Sequence, residues 1–294
     1  MARSILVGVS NAEDTDAALD WAAAEASRRG CSLHLVHSLQ WLLQDAFGAS
    51  DEVRAGLLVD GNEILARAAA RVRAARPDAV VATSLDLDAD PATALLDRAD
   101  VPDGALMIVL GSKGRSRLGD LLAASSTLAT IHDAHCPVVV VRGPVPHPGP
   151  TAPVVVGVDG SDLSARAVEA AFAEAALWGT GVRAVLTWHA PTMWSPEMAA
   201  YAVLGDEERR RIAQGCTEAV ARSLAVWSDT YPDVPVEQVV REGHAGEALV
   251  QASRGARLLV VGSRGRGGFT GLLLGSVSSA AIHHAECPVM VCHR

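Results

Sequence analysis

The sequence predicts an α/β protein made of two tandem domains, each a doubly wound parallel sheet with helices on both faces. Three observations support this fold class. Most of the chain repeats itself, because Ser4–Leu39 matches Pro153–Trp188 and the segment from Gly111 aligns without a gap to the segment from Gly262. Short β-branched runs alternate with longer helix-like stretches, which is typical of parallel sheets. Each repeat of about 145 residues has the length of one ordinary domain.

The boundary between the repeats lies in a proline-rich stretch, GPVPHPGPTAP, that begins at Gly143. Its prolines fix φ and favour extended backbone over helix. We therefore predict a first domain at 1–142, a linker at 143–152 and a second domain at 153–294.

The elements of the second repeat follow in order. The run PVVVGV is expected as a strand buried on both faces. Ser161 is the expected N-cap of the next helix, and Gly179 is its expected stop. The pattern then predicts strand VRAVLTW, helix DEERRRIAQGCTEAVARSLAVWSDTYP, strand VEQVVRE, helix GEALVQASRG, strand ARLLVVG, a helix from Ser276 to about His284, and strand CPVMVC. The first repeat carries the corresponding elements, beginning with strand ILVGV.

Composition narrows the class of function. The chain has 294 residues, 49% of them hydrophobic, which is ample for two cores. Its net charge of −9 argues against nucleic-acid binding. No apolar stretch approaches the roughly 20 residues that span a bilayer, and the N-terminus lacks a signal-peptide pattern. We expect a cytoplasmic protein without membrane insertion. Its five cysteines form no C-x-x-C pair, so buried thiols are expected rather than a disulfide framework.

A glycine-rich stretch, GSRGRGGFTGLLLGS, follows the fourth strand of the second repeat. Its spacing is Gly262-x2-Gly265-x9-Gly275-Ser276. Glycines permit positive φ and let backbone amides approach a ligand closely. Ligands of doubly wound sheets bind at the carboxyl ends of strands, beside the topological switch point. A solvated glycine-rich turn is the alternative, but the position of the stretch and its recurrence in the first repeat favour a phosphate cradle.

The predicted helix that begins after Gly275 supports this cradle. Its unpaired N–H groups and its dipole favour an anion at the helix start. The hydroxyls of Ser276 and Ser278 can add donors, and Arg264 and Arg266 can clamp outer phosphates. The P-loop pattern and the dinucleotide pattern G-x-G-x-x-G are both absent, so the loop is of another kind.

The motif combination resembles the ATP-binding universal stress protein family. The stretches that carry the resemblance are VVVGVDGS and VVGSRGRGGFTGLLLGSVS with the later CPVMV, and it covers nearly the whole chain twice. It implies a Rossmann-like fold, similar to that of adenine nucleotide alpha hydrolases, with five parallel strands and four helices in each domain.

The resemblance also implies a nucleotide site in the second domain for ATP, with or without Mg²⁺. Asp159 would meet the adenine or the ribose, and a residue near Thr187 or Trp188 would contact the adenine. Capping of the next helix is the structural alternative for Asp159. The full predicted set is Gly157, Val158, Asp159, Trp188, Gly262, Arg264, Gly265, Arg266, Gly275, Ser276, Val277 and Ser278.

The first domain carries an incomplete copy of this site. Its counterparts are Gly8, Val9, Gly111, Gly114, Ser125 and Ser126. Ser10 replaces the aspartate, Asn11 the next glycine and Ala124 the third motif glycine. An alanine where positive φ is needed strains the loop and crowds a phosphate. We expect the first site to bind nucleotide more weakly than the second.

The remaining sequence indicates no catalytic residues and no metal site. Adjacent His283 and His284 point about 100° apart on a helix, which is a poor chelating geometry. No G-x-S-x-G elbow is present, and the repeats share no Ser, His and Asp set. We expect a nucleotide-binding protein with a regulatory or stress-adaptation role, compatible with a homodimer and with protein partners. A slow ATPase or nucleotide-transfer enzyme is one alternative, and an interaction module without nucleotide is another.

Overall fold

The computed structural model describes residues 4–11, 14–40, 51–101, 104–112, 120–143, 148–189, 205–266 and 274–293, with the backbone alone for 14 and 120–125. The chain divides into two compact units, Met1–Val145 and Pro146–Cys292, which we call unit 1 and unit 2. The division falls inside the proline-rich stretch from 143 to 152. The exact domain bounds stay a prediction.

Unit 1 alternates strands and helices along its described residues. Its elements are β1 (Ser4–Gly8), α1 (Asp14–Arg29), β2 (Leu33–Ser38), α2 (Asp51–Ala75), β3 (Val81–Asp86), α3 (Pro91–Ala99), β4 (Ala105–Ser112), α4 (Asp120–Asp133) and β5 (Val138–Arg142). Its strands lie in the order β3-β2-β1-β4-β5, and their pairings are parallel.

Unit 2 repeats this arrangement. Its elements are β6 (Val154–Gly157), α5 (Asp162–Trp178), β7 (Val182–Trp188), α6 (Asp206–Thr230), β8 (Val236–Glu242), α7 (Ala245–Ala252), β9 (Leu258–Gly262), α8 (Ser276–His284) and β10 (Val289–Cys292). The strands lie in the order β10-β9-β6-β7-β8, again with parallel pairings. The predicted α/β class with tandem parallel sheets is confirmed.

The central strands are buried on both faces, as their β-branched runs predict. Val154, Val155 and Val156 of β6 have no exposed surface, and neither do Leu259 and Val260 of β9. Helices cover both faces of such a sheet, so every side chain of a central strand enters a core.

Helix α5 begins and ends where its local signals predict. The Ser161 hydroxyl accepts a hydrogen bond from the Ser164 backbone N–H, which makes Ser161 the N-cap. Gly179 ends the helix with φ of 64°, a left-handed conformation that glycine adopts without strain.

Among the described residues, no helix is both long and apolar enough to cross a membrane.

Candidate nucleotide site

The strand order of unit 2 reverses direction at β6. The chain runs from β6 through β7 to β8 on one side, and it then places β9 and β10 on the other side. The loops that leave the carboxyl ends of β6 and β9 therefore diverge, and a crevice opens between them. A cavity of about 670 Å³ lies at this point, within the size range of small-molecule sites.

The cavity brings together eleven of the twelve residues predicted for the second domain. They are Gly157, Val158, Asp159, Gly262, Arg264, Gly265, Arg266, Gly275, Ser276, Val277 and Ser278. A separate cavity of about 660 Å³ lies at the opposite end of the unit 2 sheet, near Thr180 and Tyr231. The two cavities have nearly the same volume, so the chemistry of the walls, not the size, identifies the candidate site.

Trp188 is the predicted residue that the structure leaves out of the described cavity wall. Val185, Thr187 and His189 line the cavity instead. Side chains alternate between the two faces of a strand, so the phase that brings Thr187 to the wall turns Trp188 away from it. Alternation groups Thr187 with Val185 and His189, but it does not show by itself which face of β7 meets the cavity.

Other wall residues carry no signature in the sequence. Ser164, Ala245, Leu249, Val261 and Leu274 also line the cavity. Leu249 of α7 lies so close to β6 that a Cβ on Gly157 would approach its Cδ1 atom to 3.0 Å. Gly157 therefore lets α7 pack against the end of β6 and close one side of the cavity.

Asp159 joins the two loops that form the cavity. Its Oδ1 accepts hydrogen bonds from the Ser161 backbone N–H at 2.9 Å and from the Ser161 hydroxyl at 2.7 Å. Its Oδ2 accepts a hydrogen bond from the Arg266 backbone N–H at 2.9 Å. Asp159 does not itself cap α5, because that role belongs to Ser161, but its carboxylate holds the capping hydroxyl in place.

The motif glycines are required for space rather than for backbone conformation. None of Gly262, Gly265 and Gly275 has a positive φ, which corrects the expectation that they supply one. A Cβ on Gly265 would lie 2.5 Å from Asp159 Oδ2. A Cβ on Gly262 would lie 3.0 Å from Leu163 Cβ, where α5 crosses the end of β9.

Helix α8 begins at the cavity without a capping side chain. Its N-cap is Gly275, with φ of −70° and ψ of 154°, and no described side chain accepts a hydrogen bond from its first turn. The N–H groups of Ser276, Val277 and Ser278 have no partner within the helix, since the first turn of any helix lacks acceptors. These residues line the cavity, so the helix start presents backbone N–H donors to it.

The Ser278 hydroxyl is used within the protein. It donates to the Gly262 carbonyl oxygen at 2.6 Å, and only 3% of the residue is exposed. The expectation that this hydroxyl adds a donor for phosphate is therefore wrong for the structure as it stands. Ser276 is exposed and stays a candidate donor.

Arg264 and Arg266 are exposed at the cavity mouth. Neither guanidinium forms an ion pair with a carboxylate in the described part of the chain. Both can reach toward an anion without first breaking a salt bridge, which fits the predicted clamp.

Unit 1 keeps the backbone arrangement at the end of β1, but α4 begins at Asp120, five residues before the position that corresponds to the start of α8. The Ser10 backbone N–H donates to Thr15 Oγ1 at 3.2 Å, as the Asp159 N–H donates to Ser164 Oγ at 3.1 Å. Leu110 stands where unit 2 has Val261, and its Cδ2 would approach a Cβ on Gly8 to 2.7 Å. The larger side chain fills space that is open in unit 2.

The other residues predicted for the first site lie at strand ends, in the core or in a helix. Gly8 and Gly111 lie at the ends of β1 and β4, and Val9 is buried. Ser126 lies in α4, where its carbonyl accepts from the Thr130 hydroxyl. Gly114 and the side chain of Ser125 lie outside the described residues. Ala124 lies inside α4 rather than at a helix start, so it does not carry the strain expected from positive φ.

Comparisons with known proteins all find universal stress proteins. The model of the universal stress protein family matches residues 1–142 and 151–293. A universal stress protein of Mycobacterium tuberculosis is 35% identical over 98% of this chain and 96% of its own length. One of Mycolicibacterium smegmatis is 32% identical, with 98% of this chain and 96% of the relative covered.

A crystal structure of a universal stress protein from Archaeoglobus fulgidus has the same fold. Its TM-score is 0.70, with 18% sequence identity over 99% of this chain and 98% of that chain.

Proposed function

This chain belongs to the universal stress protein family, and we propose that it is a regulatory protein whose unit 2 binds one adenine nucleotide. The proposed ligand is ATP, held by the Gly-x2-Gly-x9-Gly-Ser loop at the carboxyl ends of β6 and β9. In this proposal the nucleotide-loaded protein acts in stress adaptation in the cytoplasm, through protein partners or a homodimer.

The uncapped start of α8 is the observation that carries the proposal. Ser161 and Asp90 close the starts of α5 and α3 with their side chains, whereas α6, α7 and α8 begin without a capping side chain. At α8 the N-cap is a glycine, and the N–H groups of the first turn open into the cavity beside Arg264 and Arg266, which form no ion pair within the described residues. A negatively charged group such as a phosphate satisfies these donors and the helix dipole together.

The proposed positions of the ribose and the base follow from the position of the phosphates. With phosphates at α8, the ribose lies near Asp159, whose carboxylate can accept hydrogen bonds from hydroxyls. The base then lies over the buried apolar wall of Val158, Val185 and Leu249. Mg²⁺ bound with ATP would be held mainly by phosphate oxygens and water, as is usual for this ion.

Among the described wall residues the candidate bases are Asp159 and His189, and His189 follows β7, on the opposite side of β6 from α8. Asp159, a carboxylate of the wall, already accepts three hydrogen bonds from the protein. We therefore propose binding rather than efficient hydrolysis as the function.

Identification of the bound molecule is the direct test. Freshly purified protein is denatured, and mass spectrometry is used to identify any released adenine nucleotide; calorimetry then measures ATP binding to protein stripped of ligand. We expect ATP to bind, and Gly275→Glu to abolish this binding because its carboxylate enters the phosphate position.

Gly205→Glu is the matched control for that variant. Gly205 is also a glycine N-cap without a side-chain hydrogen bond, but it begins α6 and does not line the cavity. We expect this variant to bind ATP normally. Absence of ATP binding in the wild-type protein, or unchanged affinity in a folded Gly275→Glu variant, contradicts the proposal.

A further inference from the structure

Two histidines face each other at the end of the cavity away from α8. His189 follows β7 and lines the cavity, and His244 is the N-cap of α7. Their ring centroids are 4.8 Å apart, with 54° between the ring planes. The Gly243 N–H donates to the Trp188 carbonyl at 3.0 Å, which fixes the two loops beside each other. Gly243 has φ of 132°, a conformation that favours glycine, so the backbone is shaped to make this contact.

Unit 1 uses the corresponding positions for internal hydrogen bonds. Gln40, the counterpart of His189, donates from Nε2 to the Asp88 carbonyl at 2.7 Å. Ser38, the counterpart of Thr187, donates to the Ala89 carbonyl at 2.6 Å. The N-cap of α3 is Asp90, whose carboxylate accepts from the backbone of the first helical turn. The polar groups at this end of unit 1 are therefore bound to the protein itself.

In the described part of unit 2, the two histidine side chains are available for a ligand. His244 makes no side-chain capping hydrogen bond. Neither imidazole hydrogen-bonds to another residue in the part of the chain that the structure describes, and both residues are exposed. A neutral imidazole carries one N–H donor and one acceptor nitrogen, so His189 presents an unused hydrogen-bonding edge to the cavity.

The position of the pair matches the base of a nucleotide. β7 lies on the opposite side of β6 from β9, and α8 follows β9. A ligand whose phosphates lie at the start of α8 must extend across β6 to reach β7. It then passes the apolar wall and ends at Thr187 and His189. A purine edge carries both donors and acceptors, which an imidazole edge can match.

We propose that His189 is a base-recognising residue of unit 2 and that His244 is its positioning residue. This inference rests on the proposed nucleotide-binding function. His189 hydrogen-bonds the purine edge, and the ring of His244 limits the orientations of the His189 ring. Unit 1 lacks this recognition because its counterpart, Gln40, is bound to Asp88.

The test separates binding of the base from binding of the phosphates. Calorimetry is performed with ATP and with inorganic tripolyphosphate on the wild-type protein and on His189→Ala, His244→Ala, His189→Asn and Gln40→Ala. We expect His189→Ala to weaken ATP binding about threefold to tenfold, the usual effect of one lost hydrogen bond. Tripolyphosphate affinity should not change, because the phosphate end is intact.

The other variants serve as controls. His244→Ala should weaken ATP binding less than His189→Ala and should also leave tripolyphosphate binding unchanged. His189→Asn keeps a donor and an acceptor and should recover part of the loss. Gln40→Ala should bind both compounds like the wild-type protein.

Two results overturn this inference: unchanged ATP affinity in His189→Ala, or equal weakening of ATP and tripolyphosphate. A wild-type protein that binds ATP no better than tripolyphosphate also overturns it, while leaving the phosphate cradle in place. A wild-type protein that binds neither compound contradicts the proposed function itself.

Discussion

Asp159 Oδ2 accepts a hydrogen bond from the Arg266 backbone N–H at 2.9 Å, across 107 residues of sequence. The bond joins the loop after β6 to the loop after β9, so one carboxylate sets the distance between the two sides of the candidate site. The missing side chain of Gly265 provides the room for this carboxylate, since a Cβ there would lie 2.5 Å from it. The acid and the glycine therefore act as one unit.

The number of tight sites per chain is a first prediction. We expect one tight ATP site, in unit 2, and a site in unit 1 that is at least roughly tenfold weaker. Unit 1 lacks the carboxylate, and a charge-assisted hydrogen bond typically contributes about 1.5–3 kcal/mol. Leu110 also fills space that Val261 leaves open. Calorimetry on the wild-type protein should give one tight site per chain.

The variants Asp159→Ala and Ser10→Ala are the matched pair for this prediction. Asp159→Ala should remove the tight site, and Ser10→Ala should leave it intact. Two equivalent tight sites, or tight binding that survives in Asp159→Ala, would show that the ranking of the units is wrong.

Gly265→Ala should weaken both the loop connection and ATP binding. The added methyl group displaces the Asp159 carboxylate, so the hydrogen bond to Arg266 lengthens or is lost. We expect a loss of about 1–3 kcal/mol in the free energy of unfolding if the carboxylate is left without its partner. Thermal unfolding and ATP calorimetry measure the two effects.

Gly215→Ala is the control for Gly265→Ala. Gly215 lies in α6, and a Cβ there meets no atom within 4 Å. This substitution should stabilise the protein by up to about 1 kcal/mol, because alanine favours the helix over glycine. A Gly265→Ala variant as stable as the wild type, with normal ATP affinity, argues against the crowding.

Ser278→Ala should affect stability more than ligand binding. Its hydroxyl donates to the half-buried Gly262 carbonyl at 2.6 Å, and loss of such a hydrogen bond costs about 0.5–1.5 kcal/mol. ATP affinity should fall less than in Ser276→Ala, whose hydroxyl is free to face the phosphates. Chemical denaturation and calorimetry on both variants check the order, and a stable Ser278→Ala with strongly weakened ATP binding would reverse the two roles.

Unit 1 should lose stability in mild acid because of His37. Burial is the larger effect on its pKa and lowers it, while the hydrogen bond between Nδ1 and the Val9 carbonyl oxygen acts in the opposite direction. The unfolded chain takes up a proton near pH 6.5 that the folded chain resists. The free energy of unfolding is therefore highest above about pH 6.5 and falls as the pH drops toward the lowered pKa.

Leucine stands at the position in unit 2 that corresponds to His37. His37→Leu should therefore pack and should make the free energy of unfolding less dependent on pH between about 6.5 and 5. His34, whose pKa burial also lowers, should retain part of the dependence. Chemical denaturation at a series of pH values measures the slope, and an unchanged slope in His37→Leu contradicts the assignment.

Much of the fold was predictable because its signals are local. Ser161 and Gly179 bound α5 as predicted, since capping depends on a few neighbouring residues. The parallel sheet follows from β-branched runs that alternate with helical stretches. The same reasoning did not settle whether Thr187 or Trp188 faces the ligand, which depends on the phase of one strand against its neighbours.

The site was less predictable where distant residues meet. No pattern near Asp159 indicates that its carboxylate meets the backbone of Arg266. The pairing of His189 with His244 also depends on how two loops lie beside each other. The glycine spacing marked a loop that lines the cavity. The physical reason for the glycines is the close approach of Asp159 and Leu163 rather than positive φ.

The hydrogen bond from Ser278 to the Gly262 carbonyl has a kinetic consequence. It ties the first turn of α8 to the end of β9 before any ligand arrives. The donors at the helix start are thus already oriented, so the entropy of ordering them is lost during folding and not during binding. Association with a phosphate-bearing ligand should then be a single step whose rate rises linearly with ligand concentration, without the plateau that a slow rearrangement produces.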